Sequence, residues 1–525
     1  MKVCVVGAGA SGLPAIKSAV EKGFKVTCFE KSNDIGGIWR YKEDPCPGEG
    51  TVMKTTVINT SKEMTAYSDF PPPAHCANFM HNSELLKYFR AYADHFDLQR
   101  YIKFQHAVNS VKRCDDYEDS GRWSVTWTNQ ISGKTETGIF DGVMVCTGHH
   151  TEEYWPKPFP GQTQFKGKIL HSHEYRDSKG FEDKRVVIVG IGNSGGDLCV
   201  ELSKISKRVF LATRTGTWVM NRIWDFGEPY DLAYLNRCMQ GFRKILPLSW
   251  NNWVLANKLN TRCDHGRYGL QPKHRPLEAH MTVNDELPNR IACGMVTVKP
   301  NIAAFGEDEV IFEDGTIEKV DIVVFATGYS FGFPILEGGE LIPVHENRVN
   351  LYKYMFPPDL ATHNTLAVIG LIQPAGSIMP ISEMQTRVFT GALAGEVHLP
   401  NRKAMLKDVQ RKQVKMQARF VCSRRHTIQV DYVNYMEELA RIINARPNIA
   451  LRWLSDPKLA KVLFFHGLAP YQYRLDGPNA WPGARDALLG MDERVFEATR
   501  TRRTKETLQS KSFTKIKYPY RAVVA

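Results

Sequence analysis

Two loops, Gly7-Ala8-Gly9-Ala10-Ser11-Gly12 and Gly190-Ile191-Gly192-Asn193-Ser194-Gly195, carry the glycine spacing that lets a backbone close on a phosphate. A pyrophosphate is held by main-chain N–H groups at a helix N-terminus, where side chains in place of the glycines would intrude. Such a loop is a weak signal by itself, and its surroundings decide. Glu30 ends the strand-like run after the first loop, placed to accept hydrogen bonds from a ribose 2′-OH. At the matching place after the second loop stands Arg214, with Arg222 nearby. An arginine pairs with a 2′-phosphate that an acid would repel. The first loop therefore predicts an FAD site and the second an NADPH site, the second turn continuing through Gly196.

The elements that position these loops follow from the apolar pattern. Residues 3–6 form a short apolar run; a helix-like stretch follows to about residue 20, then a strand over 25–29. This is the order of a βαβ unit. It recurs about 180 residues later as a strand over 185–189, a helix to about 203 and a strand over 208–212. Between the units, 123–128 and 138–140 alternate as in a small antiparallel meander. Buried strands over 142–146 and 321–326 end at Thr147-Gly148 and Thr327-Gly328. Pro156, Pro158 and Pro160 mark a boundary. The predicted fold class is α/β with two Rossmann-like dinucleotide-binding domains, the NADPH domain inserted in the FAD domain. The expected division is 1–154 (FAD, first part), 155–330 (NADPH, with a helical insertion at about 225–290), 331–445 (FAD, second part, resuming at 369–384) and 446–525 (helices and basic tail).

Composition sets outer limits. A chain of 525 residues with 43% hydrophobic and 24% charged residues is ordinary for a folded protein of several domains. The net charge of +12 is concentrated partly in the tail 500–521, a solvated terminus or a segment touching anionic lipid. The 11 cysteines include no CxxC pair, which favours free thiols and argues against zinc ribbons or a redox dithiol. No cluster has metal-ligand spacing. No leader precedes the first strand, so export is not expected. The stretches 245–259, rich in tryptophan, and 462–468 are too short or too polar to span a bilayer; each reads best as a buried helix, the first with an interfacial alternative.

Gly36-Gly37-Ile38-Trp39 would let the chain lie against a flat ring system that Trp39 covers; the competing reading is a tight turn with a core tryptophan. With the ordered motifs Phe165, Gly167, His171, Tyr175 (F-x-G-x-x-x-H-x-x-x-Y), GxGxxG at Gly7, GxGxSG at Gly190 and ATGY at 326–329, the chain resembles the flavin-containing monooxygenases, of class B type, over most of its length. The runs 59–64, 284–290 and 370–374 are similar to the animal drug-metabolising branch. Those at 146–150 and 195–197 are similar to its fifth mammalian isoform type, which favours Baeyer–Villiger oxidation of ketones.

The resemblance implies that NADPH reduces FAD and that the reduced flavin captures O2 as a C4a-(hydro)peroxide, which oxygenates small molecules bearing soft nitrogen or sulfur and inserts oxygen into ketones. It assigns Asn59, followed by Thr60, to the oxygen site, and Gln373 to a second contact near the cofactors. An amide that donates and accepts at once suits that place. Two plainer readings of Asn59 are a turn residue and the acceptor of a glycosylation sequon, Asn59-Thr60-Ser61. His171 and Tyr175 read as packing supports. The rival functions are an NADPH oxidase releasing H2O2, a disulfide reductase, which the missing dithiol disfavours, and a binder of membrane or nucleic acid, which leaves both loops unexplained. No nucleic-acid partner is expected, and nothing points to a particular oligomeric state. Family location is the cytosolic face of the endoplasmic reticulum; the chain ends without an apolar anchor, which leaves the cytosol or peripheral membrane contact.

Overall fold

Val3, Cys4, Val5 and Val6 are apolar without alternation, as a parallel strand covered on both faces requires. In the computed structural model, which describes residues 1–46 and 48–502, Lys2–Val6 is the central strand of a five-stranded sheet. Across it lie Leu366–Val368, Gly142–Val145, Lys2–Val6, Lys25–Glu30 and Ile102–Phe104, every neighbouring pair parallel. A second parallel sheet repeats the plan: Val296–Lys299, Arg208–Ala212, Arg185–Val189, Ile322–Phe325 and Lys168–His171. In each, the strand feeding the glycine loop is central and the chain leaves it in both directions, the switch point where open α/β sheets bind ligands.

The second sheet lies in the chain between Val145 and Leu366, whose strands pair with each other in the first. The chain re-enters the first sheet at Leu366, a few residues before the expected 369; a three-residue strand has too little pattern to be read. The expected meander is present and has a further strand, His106–Arg113. Trp123, Val125 and Trp127 face inward, and Trp127 stacks on Phe29 with ring centroids 4.4 Å apart, fastening the meander to the first sheet. Helix Ile378–Leu393, buried almost throughout, packs on helix Gly12–Glu21 through Ser18–Thr386 (2.8 Å) and Ser11–Ser382 (2.9 Å) hydroxyl pairs.

One expectation is corrected in the helical insertion. Residues 245–259 are not one buried helix: Arg237–Ile245 and Leu248–Asn260 are separate, with Pro247 between them. Ile245, Trp250 and Trp253 are 81%, 60% and 64% exposed. Only Asn252, Leu255 and Leu259 turn inward, so most of the apolar side chains that suggested burial stand on the outer face. Residues 462–468 do belong to a packed helix end, with Leu463 and Leu468 buried. Among the described residues no helix is long and apolar enough to cross a membrane. The basic tail, beyond Arg502, lies outside the described residues.

The C-terminal helices pack on residues 61–68 and bring charge to a buried place. Glu63 is fully buried; Arg494 donates to it through Nε (2.9 Å) and Nη2 (2.7 Å), and Tyr471 through its hydroxyl (3.0 Å). Removing one partner of such a pair strands the other, which costs about 3–5 kcal/mol. Arg494→Met is therefore expected to lower stability by about that much, and the double variant Glu63→Gln/Arg494→Met to recover most of it, measured by chemical unfolding.

Candidate active site between the two glycine loops

Gly12 and Gly195 explain why both loops need glycine at the end of the motif. A Cβ at position 12 would lie 1.9 Å from Gly7 O, and one at 195 would lie 2.0 Å from Gly190 O. Each helix therefore starts directly against the turn that leaves its strand. Ser11 does not cap its helix; its hydroxyl turns to Ser382, and Tyr67 donates to Ala10 O (2.7 Å). The Gly12 and Leu13 N–H groups donate to Gly9 O (3.0 and 3.1 Å), which leaves the loop N–H groups of Gly9, Ala10 and Ser11 to a ligand. Glu30 is buried and takes hydrogen bonds from Ala8 N–H (2.7 Å), Ser32 N–H (2.9 Å) and Ser32 Oγ (2.7 Å), which orient its carboxylate beside the loop. Gly36 N–H donates to Ala8 O (3.1 Å), and a Cβ at Gly37 would come within 3.2 Å of Gly9 Cα. The two glycine turns thus lie backbone to backbone, with Ile38 and Trp39 at their edge.

These pieces open into one cavity of about 640 Å³. Gly7, Gly9, Ala10, Ser11, Glu30 and the Gly37–Trp39 turn line one end; Asn59, Thr60, Thr147, Gly148 and Gln373 line the rest. Asn193 reaches the same cavity from the second unit, joined by Met220 and Val283. Its volume is that of a ligand site. Within it Asn59 Oδ1 is buried and has no hydrogen-bond partner in the protein; His149 Nε2 and Gln429 Oε1 share that condition. Buried polar atoms are normally paired, so these three mark where a polar ligand belongs.

The segment carrying Asn59 is clamped from outside the cavity. Asn82 Nδ2 donates to the carbonyls of Met53, Lys54 and Thr56, and Ile58 N–H to Met80 O. Asp231, from the helical insertion, accepts from Ser61 N–H at 2.6 Å, and burial pushes its pKa up to about 6. Thr60 and Ser61 are buried, which excludes the glycosylation reading, since a sequon must be exposed to be used.

Gly190, Gly192, Ser194 and Gly195 belong to the second loop and do not line that cavity; Gly196 packs on Thr282 and Asn284. Asn193 Oδ1 accepts from Val283 N–H (2.9 Å), tying the loop to the strand Thr282–Val283. Arg214 is exposed just past the strand Arg208–Ala212 and pairs with no carboxylate among the described residues. Arg222 is held by Asp285, Nη1 to Oδ2 at 3.0 Å, so Arg214 is the freer of the two. Thr327 Oγ1 donates to Tyr154 O (2.6 Å) and Tyr154 N–H to Gly328 O (3.0 Å); both build the seam between the units and neither lines the cavity.

Comparison with known proteins gives the family. A family model described as "Flavin-binding monooxygenase-like" matches residues 1–524. The chain belongs to that family. Human flavin-containing monooxygenase 5 is 48% identical over 503 residues, 95% of this chain and 93% of the relative, and human flavin-containing monooxygenase 2 is 44% identical over 508 residues, 96% and 94%. Among solved structures the chain resembles S-allyl-L-cysteine S-oxygenase from Allium sativum (TM-score 0.65, 24% identity, 94% and 98% coverage). It also resembles cyclohexanone monooxygenase from Rhodococcus bound to NADP+ (TM-score 0.60, 18% identity, 84% and 97% coverage). As a member of the family the chain is a flavin-dependent, NADPH-using monooxygenase.

In this monooxygenase the fingerprint residues are structural. Phe165 sits in the core, and a Cβ at Gly167 would meet the Phe165 ring at 2.4 Å. Tyr175 packs on Phe181, and His171 lies between Trp155 and Tyr329 at the seam. Sequence reasoning missed Asn82, Asp231 and Gln429, and gave Gly370 no role beyond its place in the run 370–374, although a Cβ there would stand 2.3 Å from Ser11 Oγ. None has a local signal, because each acts on a segment far away in the chain. It also left His149 and His150 without a role. Their rings are 4.1 Å apart, and burial lowers both pKa values, that of His150 to about 4, so the site presents neutral imidazoles.

Burial, then the charge of His173, brings the His171 pKa down to about 4 from the ordinary 6.5. A base depressed in the folded state stabilises nothing by protonating. Instead, the unfolded chain takes up the proton first, so stability falls as pH drops from about 6.5 to about 4. Between pH 7.5 and 5 this site is expected to cost about 2 kcal/mol, and His171→Gln should flatten the slope of unfolding free energy against pH by that amount.

Proposed function

We propose that this chain holds FAD on the first loop and NADPH on the second, and uses O2 to oxygenate small molecules with soft nitrogen or sulfur atoms and, by Baeyer–Villiger insertion, ketones. The observation that carries this is the unpaired, buried Asn59 Oδ1 in a cavity to which both nucleotide units contribute. The residues fit the groups: free loop N–H groups at Gly9–Ser11, an uncapped helix N-terminus after Gly192, a buried carboxylate at Glu30, an unpaired cation at Arg214 and a trio of unsatisfied polar atoms. When bound and reduced, the flavin supplies the activation of oxygen.

Every other task falls to the chain. Glu30 accepts from a ribose hydroxyl, and Gly9, Ala10 and Ser11 present N–H groups to a pyrophosphate, while Gly7 and Gly12, whose N–H groups donate to Phe29 O (2.8 Å) and Gly9 O (3.0 Å), shape the turn. Arg214 reads the 2′-phosphate; Arg222, already paired with Asp285, contributes through its charge. Asn59 and Gln373 orient the reacting groups, with Thr60, Thr147 and Gly148 completing the walls. The neutral His149 and His150 add polar atoms without adding charge. The proposed divisions, 1–154, 155–330, 331–445 and 446–525, follow the seam at Tyr154 and Thr327–Gly328.

The ketone branch is supported by likeness to flavin-containing monooxygenase 5 and by a fold shared with cyclohexanone monooxygenase. The purified flavoprotein, given NADPH, O2, methimazole and an aliphatic ketone, should yield both S-oxide and ester; S-oxide alone removes the Baeyer–Villiger part. Asn59→Leu should cut oxygenated product about 100-fold, with H2O2 formed per NADPH rising toward one and flavin content unchanged. A wild-type protein with that ratio already near one is an oxidase.

We also propose that the protein touches membranes peripherally, at the cytosolic face of the endoplasmic reticulum, through the outward apolar face of the insertion. Ile245, Trp250 and Trp253 are exposed beside the exposed Lys244, the pairing of interfacial tryptophan with a basic residue that suits an anionic headgroup region, while the Arg243 guanidinium lies on the Tyr234 ring at 3.6 Å. Flotation with phosphatidylserine vesicles should retain the wild type through a high-salt wash and lose Trp250→Ser/Trp253→Ser.

A further inference from the structure

The segment Ser423 to Asp431 joins the two nucleotide sites. At one end Gln429 pairs with Gln373 in a two-residue parallel ladder, and Gln373 N–H donates to Ile428 O at 2.8 Å. At the other end Arg425 stands over the second glycine loop: a Cβ at Gly192 would lie 3.0 Å from Arg425 Nη2. The basic neighbours of Arg425 are neutralised within the protein. Arg424 pairs with Glu346 (2.5 Å) and donates to Ser330 Oγ (3.0 Å), and Arg419 pairs with both oxygens of Asp431 (2.8 and 2.9 Å). The Arg425 guanidinium pairs with no carboxylate among the described residues; only its backbone N–H is engaged, by Ser423 Oγ.

Its surroundings are cationic rather than acidic. Arg425 is exposed as a residue, and desolvation of its guanidinium, then the like charge of Arg214, push its pKa down. A guanidinium held against the backbone of a glycine loop, and feeling the like charge of Arg214, gains from an anion placed between them. The loop below is built for one. Gly192 begins the ten-residue helix Asn193–Leu202 without a side-chain cap, so N–H groups and guanidinium converge on the same space.

We propose that Arg425 is a pyrophosphate clamp for the second dinucleotide, reaching across from the segment that pairs with Gln373. The assignment rests on the reading of the second loop as the NADPH site and adds a division of labour to it. In the GxGxSG turn, Gly192 is where backbone approaches the pyrophosphate, so Arg425 closes on the two bridging phosphates from above. Arg214, at the end of the strand Arg208–Ala212, takes the 2′-phosphate. Because Arg425 lies outside the 155–330 unit, nucleotide binding pulls the two halves of the site together, and Gln373 is placed by the same segment that grips the phosphates.

The test is equilibrium binding of NADP+ and of NAD+ to the flavin-loaded protein by calorimetry, with Arg425→Ala, Arg425→Lys and Arg214→Ala. Arg425→Ala should weaken both nucleotides by the same factor, about ten- to one-hundred-fold, because both carry the pyrophosphate. Arg425→Lys, which keeps the charge and loses the fork, should weaken both by a smaller common factor and serves if the alanine variant does not fold. Arg214→Ala should weaken NADP+ alone. Unchanged affinities in the Arg425 variants, or a loss confined to NADP+, overturn the clamp. A wild-type protein that binds neither nucleotide instead overturns the reading of the second loop.

Discussion

Two backbone contacts carry this structure: the carbonyl of Gly7 against Gly12 and the carbonyl of Gly190 against Gly195, each so close that a Cβ would overlap it. They let a helix begin directly at the end of a central strand, with its N–H groups aimed past the sheet edge. From that start the sheet orders follow, since the chain leaves the central strand on both sides and opens a crevice at the carboxyl ends. The Gly36-Gly37 turn lies against the first loop by the same absence of side chains. Both glycine loops thus depend on what the glycines leave out.

The part of the cavity around Asn59 obeys another logic. Asn59 lies on irregular backbone, which has no ladder to hold it, and its position is set by buried polar groups from distant segments: Asn82, Asp231 and the Glu63–Arg494–Tyr471 cluster. Such groups are costly to bury unless every partner is present. The C-terminal helices therefore belong to the active-site architecture although they carry none of its chemistry. The helical insertion has two duties on opposite faces, with Asp231 turned inward to Ser61 and Trp250 and Trp253 turned outward.

The sequence by itself determined the features that depend on neighbours along the chain. Both βαβ units, the strands 185–189 and 208–212 and the acid–arginine contrast of Glu30 and Arg214 were legible, because a strand, a glycine turn and a helix are specified within about thirty residues. Tertiary structure alone decided the rest. It placed Asn59 in a cavity instead of at a glycosylated surface, and gave Arg222 to Asp285. It also turned residues 245–259 outward, and set Arg425 over a loop more than two hundred residues earlier. Apolar content does not say which face a helix buries, and a charge in sequence does not name its partner. Those choices are made only when distant segments compete for the same space.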